Sequence, residues 1–522
     1  MGLICAALNV KTTAEARVAM LRARAAGADL AELRLDLMEE YDLEALLGDR
    51  PIPVIVTFRR KDQGSGHMME ERKRLALLNR ALELGADYVD VELGSERGIV
   101  RAGPGKVIVS QHDFTGLPRR LEAIALEMEA TGADIVKLAV APRDPLECLA
   151  LYDLLGKLRK PAIVIGMGEA GAATRLAALR FGAYLSYGAL ERGTSTAPGQ
   201  FTVEEMVRDY RAKEVGSSTR LFGVIGDPIA HSLSPAIHNA AYREMGLDAL
   251  YVSFRVPADS DAAEFVRRYA RLGFEGLSVT LPHKLAALTA ADEVDPVAAK
   301  IGAANTISVV SCQLSVASQA DNRQRATGNC RLVAANTDAD AAVGELARAF
   351  AGVDPTDPSD PTDPSDHLRG KTVLVLGAGG AARAVAWGLV ERGRARVMIA
   401  NRSRDRGMNL AAELGAEFRP LDGLAGLAPD AVVNTTSVGM HPNVEATPLP
   451  ADLIQPGTVV FDTIYNPLET RLLREAKERG ARTVDGLGMF VAQGARQVEL
   501  WTGRSAPREA MRRAALEKLG KK

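Results

Sequence analysis

Cysteine is scarce in this 522-residue chain: there are four, Cys5, Cys148, Cys312 and Cys330, and no CxxC pair. The expectation is reduced thiols in a cytosolic setting and no metal site, although Cys312 and Cys330 flank one polar stretch. An excess of either charge is missing too. Lys plus Arg number 64 and Asp plus Glu 66, a formal net charge of −2, which argues against a nucleic-acid binder. No apolar run reaches the roughly 18 residues that a membrane span needs. The opening MGLICAALNV lacks the basic start and long apolar stretch of a signal peptide and reads as a first strand. A cytoplasmic location is therefore expected, without membrane or nucleic-acid partners.

What is present is length and a regular alternation. At about 100–200 residues per domain the chain has room for roughly three. In residues 1–200 eight β-rich runs, LICAAL, LAELRLD, PVIVTFR, YVDVEL, KVIVSQHDF, DIVKLAV, PAIVIGMG and YLSYGAL, alternate with helical stretches. Eight such units favour a closed (β/α)8 barrel, here placed at 1–213, over a doubly wound open sheet. RAKEVGSSTR is a polar connector, and a smaller α/β lobe follows over 220–345, in which the polar stretch 311–331 looks like a long hairpin or a surface insertion. Residues 346–370 contain an Asp/Pro/Ser repeat expected to be disordered or extended. KTVLVLGAGGAARA then opens a nucleotide-binding Rossmann unit over 371–489, and the helical stretch 490–522 is expected to return to the smaller lobe.

Alternate residues of a barrel strand point inward. On that rule Glu32, Arg34 and Asp36 share one face, as do Thr57 and Arg59, Asp90 and Glu92, Ser110 and His112, and Lys137 stands alone in the apolar run IVKLAV. A buried ammonium is costly unless it is paired or gives up its proton for a task. A lysine among other cations can attack a carbonyl, a histidine can carry the proton, and arginines suit a carboxylate. The residues thus point to Schiff-base chemistry on a small anionic ketone.

ELRLD, TFR, SQHDF, IVKLAV and STAPGQ resemble type I 3-dehydroquinate dehydratase. The resemblance implies that Lys137 forms the imine and His112 moves the protons. It implies that Glu32, Arg34, Arg59, Arg175 and Gln200 hold the substrate. Two positions depart from the family pattern: Thr196 where a serine is common, and Gln63 where a glutamate is common. If that glutamate orients the histidine, another carboxylate must replace it, and Glu92 is the candidate.

In the Rossmann unit, GAGGAA follows a strand and opens a helix, so Gly377, Ala378, Gly379, Gly380 and Ala381 are expected to cradle a pyrophosphate. The next strand ends in Asn401-Arg402-Ser403, with Arg406 following, where NAD sites usually carry Asp or Glu; the cations favour NADP. SLSP, SVTLPHK, GAANT, NTD, GAGGAARA, NRS, YNP and GLGMFVAQ resemble shikimate dehydrogenase, in that family's order. The resemblance implies Lys284 and Asp338 as the catalytic pair and Ser232 and Ser234 at the substrate carboxylate. Thr280, Asn305, Tyr465 and Gln493 would meet the carboxylate or ring hydroxyls, and Gly488 the cofactor. Together the two resemblances imply one chain that converts 3-dehydroquinate to 3-dehydroshikimate and then to shikimate with NADPH. Two alternatives stand beside it: a non-catalytic sensor or repressor of quinate or shikimate metabolism, and a dehydratase fused to an NAD-preferring quinate dehydrogenase.

Overall fold

The computed structural model describes every residue except 1, 102, 194–198, 312–313, 316–324, 327–329, 353–363 and 521–522. The first eight strands are β1 (Leu3–Leu8), β2 (Leu30–Arg34), β3 (Val54–Thr57), β4 (Tyr88–Glu92), β5 (Lys106–Asp113), β6 (Ile135–Val140), β7 (Ala162–Gly166) and β8 (Leu185–Ala189). They form one parallel sheet in the order β7-β6-β5-β4-β3-β2-β1-β8. The sheet curls into a nearly closed barrel: β7 and β8 share no ladder, but Tyr184 N donates to Ala162 O at 2.8 Å across the seam. The eight runs of the sequence are these eight strands.

The interior is layered by the two-residue period of a strand. Leu30, Ile55, Tyr88, Ile108, Ile135 and Leu185 pack in one apolar cluster. Two residues further along each strand, on the same face, come Glu32, Thr57, Asp90, Ser110, Lys137 and Tyr187. The apolar layer plugs the barrel and the polar layer lies above it, toward the strand C-termini where a barrel carries its chemistry.

The smaller lobe is a mixed sheet of β9 (Arg220–Gly226), β10 (Ala249–Arg255), β11 (Phe274–Val279), β12 (Glu293–Val294), β13 (Thr306–Ser311) and, after a hairpin, β16 (Arg331–Ala335), in the order β10-β9-β11-β13-β16-β12. The hairpin is β14 (Leu314–Ser315) paired antiparallel with β15 (Arg325–Ala326), as expected for the polar insertion. Helix Ser234–Glu244 packs on this lobe together with the terminal helices Leu487–Thr502 and Arg508–Lys518. The last unit is a parallel sheet of β17 (Thr372–Leu376), β18 (Arg396–Ala400), β19 (Glu417–Arg419), β20 (Ala431–Asn434), β21 (Val459–Asp462) and β22 (Arg482–Val484), ordered β19-β18-β17-β20-β21-β22. That is the doubly wound order, with the crevice outside β17 and β20 at the switch point.

Barrel and smaller lobe are joined by Tyr269, whose hydroxyl donates to Pro145 O at 2.6 Å, and by Ser260 on Asp144 at 2.7 Å. Two expectations need correction. The Asp/Pro/Ser repeat lies largely outside the described residues, but its end is not structureless: Pro364–Leu368 forms a 3-10 turn that buries Leu368 in the Rossmann core. Cys5 and Cys148 are free and buried as expected, whereas Cys330 is disulfide-bonded. Spacing alone gives no sign of such a bond, because it depends on the approach of two Cβ atoms. Cys312 lies outside the described residues.

Candidate active sites

Lys137 is 3% exposed, in the middle of β6. Its Nζ donates to Asp90 Oδ2 at 2.8 Å, to the Tyr187 hydroxyl at 3.0 Å and to Glu32 Oε1 at 3.4 Å. Asp90 also holds Arg59, through contacts of 2.8 and 3.1 Å, and accepts from Ser110 at 2.6 Å. Glu32 accepts from Thr57 at 3.0 Å. Arg34 forks onto Asp36 at 2.9 and 2.7 Å, and Arg74 donates to Glu92 at 2.7 Å. Arg34, Arg59, Arg74 and Lys137 thus face Glu32, Asp36, Asp90 and Glu92, and the buried charges compensate one another. Desolvation alone would push Asp90 up, but Arg59 and Lys137 outweigh it and hold its carboxyl well below the usual range.

His112 lies two residues beyond Ser110, at the barrel mouth. Its Nδ1 is buried without a hydrogen-bond partner. Desolvation first, then the cations Arg59 and Lys137, hold its imidazole well below 6.5. Glu92 does not orient it. That carboxylate is consumed by Arg74, Arg59 and the main-chain N of Arg60. Gln63, itself buried, takes the main-chain N–H of His112 at 2.6 Å, so it fixes the strand rather than the ring. Arg175 is buried and reaches Tyr187 O at 3.5 Å. Gln200 lines a cleft of about 400 Å³ between barrel and smaller lobe, and Ser232 of the second site lines the same cleft. Thr196 lies outside the described residues.

In the second site Lys284 Nζ donates to Asp338 Oδ2 at 2.6 Å. Asn305 is the hub beside them. Its Nδ2 reaches Thr337 Oγ1 and Asp338 Oδ1, each at 2.9 Å, and Gln493 Oε1 at 3.3 Å, while its Oδ1 accepts from Thr337 N. Ser232 and Ser234 sit at the start of helix Ser234–Glu244, where Ser234 N donates to Ser232 Oγ at 3.3 Å. Tyr465 stacks on Phe490 at 4.2 Å, and burial pushes its hydroxyl up to about 12. Thr280 N closes the end of β11 on Ile225 O at 3.0 Å. These residues come from both lobes, and Lys284, Asp338, Asn305 and Gln493 are joined by hydrogen bonds.

The glycine loop between β17 and helix Gly380–Glu391 fits a dinucleotide. Gly377 has φ +119°, and a Cβ there would lie 2.6 Å from Thr435 Oγ1. At Gly379 a Cβ would meet nothing within 4 Å, and the helix has no side-chain cap, so Ala378, Gly379, Gly380 and Ala381 present backbone at an open helix N-terminus. A Cβ on Gly380 would stand 3.1 Å from the Lys284 stem. The loop and Lys284 therefore touch, and Arg383 ties the lobes further by donating to Ile301 O at 3.2 Å. Asn401 donates to Ser403 O at 2.8 Å, and Arg402 and Arg406 are exposed with no ion-pair partner among the described residues. At Gly488 an added Cβ would meet the Glu345 carboxylate, the end of a flexible side chain, so a larger residue there would have to displace that carboxylate.

Sequence reasoning assigned no role to Asp90 or Tyr187. Both follow from stepping two residues beyond the apolar layer, the step that also leads to Lys137.

Four family models match in chain order: type I 3-dehydroquinase over residues 4–217, the shikimate dehydrogenase substrate binding domain over 224–307, shikimate / quinate 5-dehydrogenase over 362–448, and the shikimate 5'-dehydrogenase C-terminal domain over 486–516. The chain is 37% identical to the chloroplastic bifunctional 3-dehydroquinate dehydratase/shikimate dehydrogenase of Arabidopsis thaliana, over 97% of this chain and 83% of that one. It is 42% identical to the shikimate dehydrogenase (NADP(+)) of Moorella thermoacetica, over 59% of this chain and 96% of that one. Among solved structures, the shikimate 5-dehydrogenase of Thermus thermophilus with NADP(H) and shikimate is 36% identical, covering 58% of this chain and all of that one, with a TM-score of 0.46.

Proposed function

The chain belongs to the family of bifunctional 3-dehydroquinate dehydratase/shikimate dehydrogenases, and from that premise we propose that Lys137, His112 and Asp90 carry the dehydration and Lys284 with Asp338 the reduction. The observation that carries this reading is a pair of lysines, each nearly buried and each held by a carboxylate, at 2.8 and 2.6 Å.

In the barrel, neutral Lys137 Nζ attacks the ring ketone. The proton that the Lys137 ammonium first gives up and a second proton from the same nitrogen go to the former carbonyl oxygen: the C–N bond forms as the carbonyl pair moves to oxygen, that oxygen departs as water, and a protonated imine remains. That cation draws density from the adjacent carbon, and His112 takes the proton there. The hydroxyl one carbon further leaves as water with that proton, and hydrolysis frees Lys137. Arg34, Arg59, Arg175, Glu32 and Gln200 hold the carboxylate and hydroxyls of the substrate. Borohydride added during turnover, followed by peptide mass mapping, tests the assignment: reduction should fix the substrate on Lys137, and an adduct on any other residue would remove it.

A neutral imidazole is needed to take the proton, and His112 stays neutral below its usual 6.5. The acid limb of dehydratase kcat/KM is therefore expected below pH 6.5. A limb above that value in a pH–rate profile would mean that the Asp90 carboxylate outweighs burial and the neighbouring cations and holds the ring as a cation.

In the second site, NADP supplies or accepts the hydride when bound. Lys284 gives the proton to the substrate oxygen, and Asp338 keeps the ammonium in place. Ser232, Ser234 and Tyr465 take the carboxylate, while Thr280, Asn305 and Gln493 take the ring hydroxyls. Gly377, Ala378, Gly379, Gly380 and Ala381 would hold the pyrophosphate, and Asn401, Arg402, Ser403 and Arg406 the 2′-phosphate. Each arginine removed should raise KM for NADPH by about tenfold, the worth of a charge-assisted hydrogen bond. KM for NADH should not change in the Arg402→Ala and Arg406→Ala variants, and equal losses with both cofactors would contradict this selectivity. No helix among the described residues is long and apolar enough to cross a membrane, and the proposed compartment is the cytoplasm.

A further inference from the structure

Lys137 has a third partner that the reaction scheme leaves idle. The Tyr187 hydroxyl is 3.0 Å from Nζ, and the Tyr187 ring centroid lies 4.3 Å from the same nitrogen. Tyr187 is 3% exposed, within the apolar cluster of the barrel interior, so its hydroxyl was not placed there for solubility. Its main-chain O also takes Arg175 at 3.5 Å, so one residue of β8 touches both the nucleophile and a guanidinium of the substrate site.

We propose that Tyr187 is a positioning residue of the dehydratase, whose hydroxyl holds Lys137 Nζ as an ammonium, turns to hold it as an amine, and then steadies the oxygen displaced from the substrate ketone. This rests on the Schiff-base reading of Lys137. The argument is one of hydrogen-bond inventory. An ammonium has three hydrogens, and Asp90, Glu32 and Tyr187 supply three acceptors. Ionised carboxylates can only accept, but a phenol can accept or donate. When Lys137 becomes neutral its nitrogen gains a lone pair, and Tyr187 is the partner among these three able to donate to it. On attack that lone pair becomes the C–N bond, and the former carbonyl oxygen appears one bond away from the nitrogen, within reach of the same O–H. Tyr187 begins and ends as a neutral phenol; the two protons that leave with the displaced ketone oxygen as water are those given up by the Lys137 ammonium, and His112 moves the proton of the later elimination. Desolvation raises the Tyr187 hydroxyl well above 10, which keeps it a donor throughout.

The test is the full chain with Tyr187→Phe, which keeps the ring and its volume, and Tyr187→Leu, which removes both ring and hydroxyl. Shikimate dehydrogenase turnover and the dehydratase KM report an intact protein and an intact barrel. The expected result is a split: kcat for dehydration and the rate of borohydride trapping fall together by about tenfold in Tyr187→Phe, while KM stays within about twofold because the substrate's own ligands are untouched. Tyr187→Leu should fall at least as far. Tyr187→Phe with wild-type kcat and trapping rate would overturn the inference, as would a loss in KM alone. If wild-type protein is not trapped on Lys137 at all, the Schiff-base reading fails instead, and the two failures are thereby distinguished.

Discussion

Replacing Lys137 by alanine is expected to lower dehydration of 3-dehydroquinate by about five orders of magnitude, as loss of a covalent nucleophile does, and to leave reduction of dehydroshikimate unchanged. His112 cannot compensate. Without the imine the carbon beside the ketone is not acidified, and an imidazole held well below 6.5 is a weak base. The variant should still fold. Breaking a buried ion pair typically costs about 3–5 kcal/mol because a charge is left alone, but Asp90 would keep Arg59 at 2.8 Å and Ser110 at 2.6 Å. The reductase half of the same molecule, followed by NADPH oxidation, is the internal control. Dehydratase activity above about a hundredth of wild type would point to general acid–base elimination without a covalent step.

The second large effect belongs to Lys284. Lys284→Met should lower reduction by about three orders of magnitude, within the range supplied by a positioned acid or base, with dehydration unaffected. Methionine is the informative choice because the Lys284 stem lies against the glycine loop: a Cβ on Gly380 would stand 3.1 Å from the Lys284 Cβ. A long apolar side chain keeps that packing and removes only the charge. NADPH affinity, read by calorimetry, should therefore stay within about twofold while kcat collapses. Asp338→Asn should fall nearly as far, since Asp338 holds Lys284 at 2.6 Å and Asn305 at 2.9 Å. A large loss of NADPH affinity in Lys284→Met, with kcat intact at saturation, would make Lys284 a cofactor ligand rather than the proton carrier.

Much of this was legible before any coordinates. A lysine in IVKLAV is expensive to bury, and the two-residue period of neighbouring strands placed Glu32, Thr57, Ser110 and Lys137 on one face, where they lie. The glycine loop and the Asn401-Arg402-Ser403 end of β18 were equally readable, because backbone geometry and charge dictate them locally. Contacts between distant side chains were not readable. Asp90 and Glu92 share a face of β4, yet one holds Lys137 and the other turns to Arg74, a helical residue whose approach no local pattern encodes. Gln63 reaches His112 through the main chain, where side-chain identity gives little hint. Gly488 was readable from its motif, but the Glu345 carboxylate that an added Cβ there would meet comes from a distant helix that no local pattern encodes. Tyr187 read as one more barrel residue, since a tyrosine in a strand is ordinary until its hydroxyl is seen to meet a nitrogen.

A single cuvette tests the central claim that one chain performs both steps. Purified protein is given 3-dehydroquinate and the conjugated enone is followed by ultraviolet absorbance; NADPH is then added and its oxidation followed. Enone formation, then NADPH consumption to the extent of the enone formed, is the expected result. Absence of enone, with NADPH consumed only when dehydroshikimate is supplied from outside, would contradict the assignment of Lys137 and leave the barrel without its reaction.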